Sequence, residues 1–232
     1  MKAARAWLGL LALAGCSDIT AGKNGVVALE LRIPSPPAVE PNDTLALHAR
    51  ALDSKGDSVG VPVYWRTLDD TLLAVVDSSA GLVTAIIDSG SPRVQAYVGT
   101  LRSELVTLTI RPSSDTLVIT VPDTIIIPPG DTASDSLGAS VQSNNPVGGV
   151  PGTSILYEVV DTLAAAGKVR FSNNLLVFRA NTGLAGSPTP AVTLRTVTGA
   201  TPPASVQVRV SATRPSLRSV PGSGQVFTLL YQ

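Results

Sequence analysis

The side chains with reactive potential are one cysteine, one histidine and a scatter of aspartates. Cys16 and His48 are the single members of their kind in 232 residues. A thiol or hydroxyl nucleophile needs a base within reach and a group that orients that base. One histidine and one leader-proximal cysteine supply no such set, and they supply no four-ligand zinc site. Alternation along residues 44–52 puts His48 on the face opposite Leu45, Leu47 and Ala49, beside Arg50, where it meets solvent. The aspartates Asp53, Asp57, Asp69, Asp70 and Asp77 sit at turns or strand starts. Two readings fit them. Asp side chains bond their own backbone in turns, or Asp53, Asp57 and Asp77 act as oxygen ligands for Ca²⁺. The stretch DSKGD lacks the ligand order of an EF-hand loop. GSGQ (222–225) lacks the lysine and spacing of a phosphate loop. No catalytic residue and no cofactor are expected.

The elements that would position these groups follow from composition. Lys+Arg and Asp+Glu are equal at 17 each, so no net field draws the chain to nucleic acid. Charged residues make up 15% and aromatics 4%, against 44% hydrophobic residues with 20 Gly and 18 Pro. Many short aliphatic strands joined by turns produce this balance. One cysteine excludes an internal disulfide.

The first residues, MKAAR, are basic, and AWLGLLALAG (6–15) carries no charge. This is the pattern of a secretory signal peptide over residues 1–15. The run is short of the roughly 20 residues needed to span a bilayer. Its end, Leu13-Ala14-Gly15-Cys16, resembles the lipobox of bacterial lipoproteins. The resemblance implies a diacylglyceryl group on the Cys16 sulfur, cleavage before Cys16 and acylation of the freed amine. Two or three acyl chains anchor stably where one does not. In bacteria with an outer membrane, Asp after the cysteine favours inner-membrane retention. Ser17 stands there instead, which leans the resemblance toward the outer membrane. Residues 16–24 then form the lipidated cysteine and a polar tether.

From residue 25 onward, period-2 alternation recurs in VVALELRI (26–33), TLALHARAL (44–52), VPVYWR (61–66), LLAVVD (72–77), LVTAII (82–87), RVQAYV (93–98) and ELVTLTI (104–110). Side chains alternate across a strand, so each segment buries one face. Seven short strands at this spacing predict an antiparallel sandwich over 25–111. The ordered set ALDSKGDSV, VYW and VVDSSAGLVTA resembles a bacterial immunoglobulin-like domain of group 2 (BIG2). Val76-Asp77, Gly81 and Val83-Thr84-Ala85 match that family's link between two strands. Trp65 falls where the family often buries a tryptophan, so it is expected in the core.

RPSSD (111–115) is polar and contains Pro, as a domain boundary does. A second strand series fills 115–212, from LVITV (117–121) to SVQVRV (205–210). Gly60-Val61-Pro62 recurs as Gly149-Val150-Pro151, and Asp70-Thr71-Leu72 as Asp161-Thr162-Leu163. Each Asp-Thr-Leu follows an aromatic strand carrying Trp65 or Tyr157. These echoes predict a second immunoglobulin-like sandwich, without the Gly-Val-Thr-Ala signature. Residues 213–232 read as a C-terminal hairpin or tail. Its apolar end pairs within the second unit, pairs with a neighbouring chain, or opens a third unit.

The fold class expected is therefore all-β: two tandem immunoglobulin-like sandwiches after a lipoprotein signal peptide. The resemblance implies an exported, lipid-anchored cell-envelope protein that acts as a non-catalytic surface binding or adhesion module. Its partners would be the membrane, through the lipid, and an envelope protein or carbohydrate, with no nucleic acid. A structural spacer is the alternative. A carbohydrate-active enzyme with paired carboxylates ranks last.

Overall fold

A computed structural model describes residues 25–232. The expected signal peptide (1–15), the lipobox residues Leu13, Ala14 and Gly15, the attachment point Cys16 and the tether to residue 24 lie outside the described residues.

The chain forms two tandem β-sandwiches with separate cores. The first core gathers Leu45, Leu47, Trp65, Leu73, Val83, Val94 and Leu108. The second gathers Leu117, Val141, Ile155, Tyr157, Phe171, Val208, Phe227 and Leu229. These are the inward positions of alternating strands. In Ser205–Thr213 the pattern is strict, with Val206, Val208, Val210 and Ala212 buried and their neighbours more exposed.

Both units open the same way, and proline is the cause. The strand Ala28–Arg32 pairs antiparallel with His48–Leu52. Pro34, Pro36 and Pro37 then interrupt the ladder, because proline has no N–H to donate. The chain crosses to the opposite sheet, where Ala38–Val39 pairs in parallel with Thr109–Ile110. In the second unit Thr116–Ile119 pairs antiparallel with Ala139–Asn144. Pro122 intervenes, and Thr124–Ile127 pairs in parallel with Gln225–Tyr231. The remaining ladders are antiparallel; these two parallel pairs are where each unit's opening strand meets its closing one.

This symmetry places the C-terminal segment. Residues 213–232 are not a separate hairpin. Gln225–Tyr231 lies inside a five-stranded sheet, between Thr124–Ile127 and Ser205–Thr213. Its antiparallel partner is Ser205–Thr213. The second unit thus extends past 212 to the end of the described chain. Phe227 and Leu229 point into its core.

Two further differences from the sequence pattern have local causes. Residues 44–52 form two strands, not one. Leu45–Ala46 pairs with Leu82–Val83, while His48–Leu52 pairs with Ala28–Arg32 in another sheet. Between them the Leu47 N–H donates to the Gly81 carbonyl at 2.9 Å. One helical turn, Thr162–Ala165, follows Tyr157's strand, capped by the Asp161 carboxylate accepting from the Ala164 N–H at 3.0 Å. The equivalent Asp69–Leu72 segment of the first unit is a turn, closed by the Leu72 N–H donating to the Asp69 carbonyl at 3.0 Å.

Gly81 shows why VVDSSAGLVTA reads as it does. Its φ is +69°, in the left-handed region that glycine tolerates. A Cβ there would stand 2.1 Å from the Leu47 carbonyl oxygen and 2.9 Å from Trp65 Nε1. The residue therefore has to lack a side chain for the sheet crossing at Leu47 and the Trp65 indole to fit together. Gly81→Ala is expected to cost at least about 2 kcal/mol, since backbone strain and overpacking act at one point. Urea denaturation followed by Trp fluorescence checks this; an unchanged midpoint would contradict the role assigned to Gly81.

Candidate functional site: the junction and its cleft

The aspartates singled out by type are occupied by their own turns. Asp53 accepts from the Lys55 N–H at 2.8 Å and from the Asp57 N–H at 2.9 Å. Asp57 closes the same turn through its carbonyl, which accepts from the Asp53 N–H at 2.9 Å. Asp77 accepts from the Ala80 and Ser79 N–H groups at 2.9 Å each and from the Ser79 hydroxyl at 2.8 Å. The Ala80 N–H and then the Ser79 donors hold the Asp77 carboxyl below the usual carboxylate range. Asp69 is held low as well, by the Arg93 side chain first and its N–H second. Among the described residues no group of three or more His, Cys, Asp or Glu side chains comes together to hold an ion. Trp65 is buried in the first core, and its backbone N–H donates to the Ser78 carbonyl at 2.9 Å. His48 is exposed at the junction end of its strand, paired in register with Arg32.

Charge chemistry concentrates where the sandwiches meet, on residues that spacing alone did not single out. The Glu40 carboxylate is fully buried. Its Oε1 accepts from Arg111 Nε at 2.9 Å and from the Ser114 hydroxyl at 2.7 Å, and Arg111 Nη2 lies 2.9 Å away. Its Oε2 accepts from the Ser114 N–H at 3.0 Å and faces Arg214 Nε at 3.9 Å. Arg111 reaches on into the second unit, donating from Nη1 to the Gly152 carbonyl at 2.6 Å. Arg214 donates from Nη2 to the Ser114 carbonyl at 2.8 Å. Burial pulls the Arg111 guanidinium below its usual value, and the Glu40 charge opposes that pull.

RPSSD therefore marks the boundary for a different reason than solvent exposure. Arg111, Ser113 and Ser114 are all buried. The segment is polar because polar groups clasp it from both sides. A signal was present in the sequence. Arg111-Pro112-Ser113 recurs as Arg214-Pro215-Ser216. The first tripeptide gives its guanidinium to Glu40 and its hydroxyl, Ser113 Oγ, to the Pro41 carbonyl at 2.8 Å. The second turns its guanidinium toward Glu40 and bonds the Asp43 carboxylate through Ser216 Oγ. Both copies grip Glu40-Pro41-Asn42-Asp43, and Arg218 adds an ion pair to Asp43 at 3.4 Å.

A cleft of about 780 Å³ opens beside this clasp. The first unit contributes Arg32, Ile33, Pro34 and His48 to its walls, and the second contributes Arg179 and Leu217. The lining contains four arginines and no carboxylate. Glu40 offsets Arg111 and Arg214 from beneath, whereas Arg32 and Arg179 stand exposed at the rim. The arrangement has neither a nucleophile–base pair nor facing acids. The cleft sets guanidinium groups beside apolar side chains, a pairing that can fork onto carboxylates.

Removing one partner of a buried ion pair strands the other charge, at a cost of roughly 3–5 kcal/mol. Glu40→Gln is expected to lower unfolding stability by about 3 kcal/mol for that reason. Differential scanning calorimetry should also show the two units melting farther apart. A variant that melts like the parent would remove the clasp from the account.

No protein-family model matches the chain, and no curated protein matches it. Solved structures do. The chain is similar to the Yersinia pseudotuberculosis adhesin InvE at 18% identity and a TM-score of 0.39, over 91% of this chain and 61% of that one. It is similar to domains 4 and 5 of the S-layer protein SbsC at 15% identity and a TM-score of 0.32, over 89% of this chain and 98% of that one. It is similar to fibronectin(III)-like modules of Clostridium thermocellum CbhA at 11% identity and a TM-score of 0.38, over 88% and 94% of the two chains. This chain thus spans less than two thirds of the InvE structure it resembles.

Proposed function

We propose that this chain is an exported bacterial envelope lipoprotein. In this reading it is anchored through Cys16, leans toward the outer membrane, and acts as a non-catalytic surface binding module. The first sandwich is read as BIG2-like and the second as a more divergent immunoglobulin-like unit. The observation that carries the binding role is the cleft at the clasped junction. Two sandwiches held at one angle make a concave, arginine-rimmed surface that neither has alone. Loops and edges placed by a stiff scaffold are where such modules make contacts.

Ala28–Arg32 runs toward the cleft, ending at Arg32. Ser154–Val159 starts at the cleft and runs outward. A structural spacer is the second reading. The buried Glu40 clasp favours it, because a spacer needs a junction that resists bending.

Two experiments test these statements. Cys16→Ser should abolish labelling by a fatty-acid analogue and release the protein from membranes; unchanged labelling contradicts the anchor. The full chain, used as bait against envelope fractions and a glycan array, should retain a specific component. Silence on both hands the role to the spacer.

A further inference from the structure

The rim of the cleft has three features that the clasp does not use. Arg179 lies on Val177–Asn181, an outer strand of the five-stranded sheet, and its Nη1 donates only to the Ser154 hydroxyl, at 3.0 Å. Among the described residues no carboxylate pairs with it. Arg32 ends the outer strand Ala28–Arg32 of the first unit, and its nearest acid, Glu30 at 3.5 Å, is already engaged by Arg50. Leu217 is 84% exposed at the cleft with φ at +67°. A leucine pays strain in that region, and an exposed leucine returns no burial for it.

We propose that the cleft binds an acidic, extended peptide segment of a protein partner. Its carboxylates would sit on Arg32 and Arg179, and one of its apolar side chains would sit on Leu217 and Ile33. The inference deepens the binding-module reading and rests on it. Charge complementarity selects the acid, since guanidinium groups fork onto carboxylates and the cleft wall carries no competing carboxylate. The apolar part of the lining selects peptide over sugar. Ile33, Pro34, Pro215 and Leu217 are apolar, and no Phe, Tyr or Trp ring is present for a sugar ring to stack on. The outer strands add a main-chain reason. An edge strand turns alternate N–H and C=O groups outward, which is what an extended peptide pairs with.

The test uses the full chain in detergent and a fluorescein-labelled Glu-Val-Glu-Val-Glu-Val peptide, read by anisotropy. The peptide should bind with an affinity that falls as salt rises. Arg32→Glu combined with Arg179→Glu should weaken it roughly tenfold or more, with thermal stability retained because both side chains are at the surface. Leu217→Gly separates binding from structure. It relieves the left-handed strain, so stability should hold or rise, while affinity falls several-fold.

The inference is overturned by no binding, by equal binding of Gln-Val-Gln-Val-Gln-Val, or by unchanged affinity in the double arginine variant. Binding of polygalacturonate with the same arginine dependence, in place of the peptide, overturns it in favour of an acidic glycan. If the envelope capture succeeds while any of these results is obtained, the binding module stands and its acidic-peptide site falls. If the capture fails as well, both fall.

Discussion

A carboxylate removed from water has to be met by donors, and in this protein that requirement organises the join between two domains. Glu40 belongs to the first sandwich, and its partners come from the connecting segment and the second. An isolated charge so buried would cost several kcal/mol, so the carboxylate depends on the donors of Arg111 and Ser114, with the Arg214 charge close by. Each of those groups sits at one position along the chain. Satisfying Glu40 therefore also fixes the angle between the sandwiches and the width of the cleft beside it. Polar burial acts here as a specificity device more than a source of net stability.

The same economy explains the connecting segment. A flexible linker would leave its N–H and carbonyl groups to water. Here the Ser114 N–H and carbonyl and the Ser113 hydroxyl are all bonded within the junction. Thr153 continues the network, its N–H donating to the Thr182 hydroxyl at 2.8 Å, which in turn donates to the Val150 carbonyl at 2.6 Å. The junction is thus coupled to the Gly149-Val150-Pro151 turn of the second unit. Arg111 and Arg214, which clasp Glu40, also line the cleft, while Arg32, Arg179 and Leu217 at the rim take no part in the clasp.

Much of the architecture was legible because its determinants are local. Strand alternation depends on neighbours two residues apart, and turns depend on Gly, Asn and Asp within four, so the strand series and the two-sandwich class followed from pattern alone. The repeated Asp-Thr-Leu marks equivalent turns, and Gly81 marks a point where backbone and indole meet. The misread elements share one feature, which is that their partners are distant. Residues 44–52 look like one strand until Gly81 supplies an acceptor for Leu47. Residues 225–231 leave three pairings open until a strand about a hundred residues earlier pairs with them.

The sequence by itself determined the all-β fold class, the series of alternating strands and the turns between them. Short-range chemistry is enough for each. Only the tertiary structure decided that Glu40, Arg111 and Arg214 share one site and that the cleft rim is basic without a carboxylate in its lining. An ion pair leaves little trace in composition, because Glu and Arg are ordinary surface residues until folding takes away their water. The recurring Arg-Pro-Ser held the information, but its meaning depends on a three-dimensional coincidence at Glu40-Pro41-Asn42-Asp43. No spacing rule predicts that coincidence.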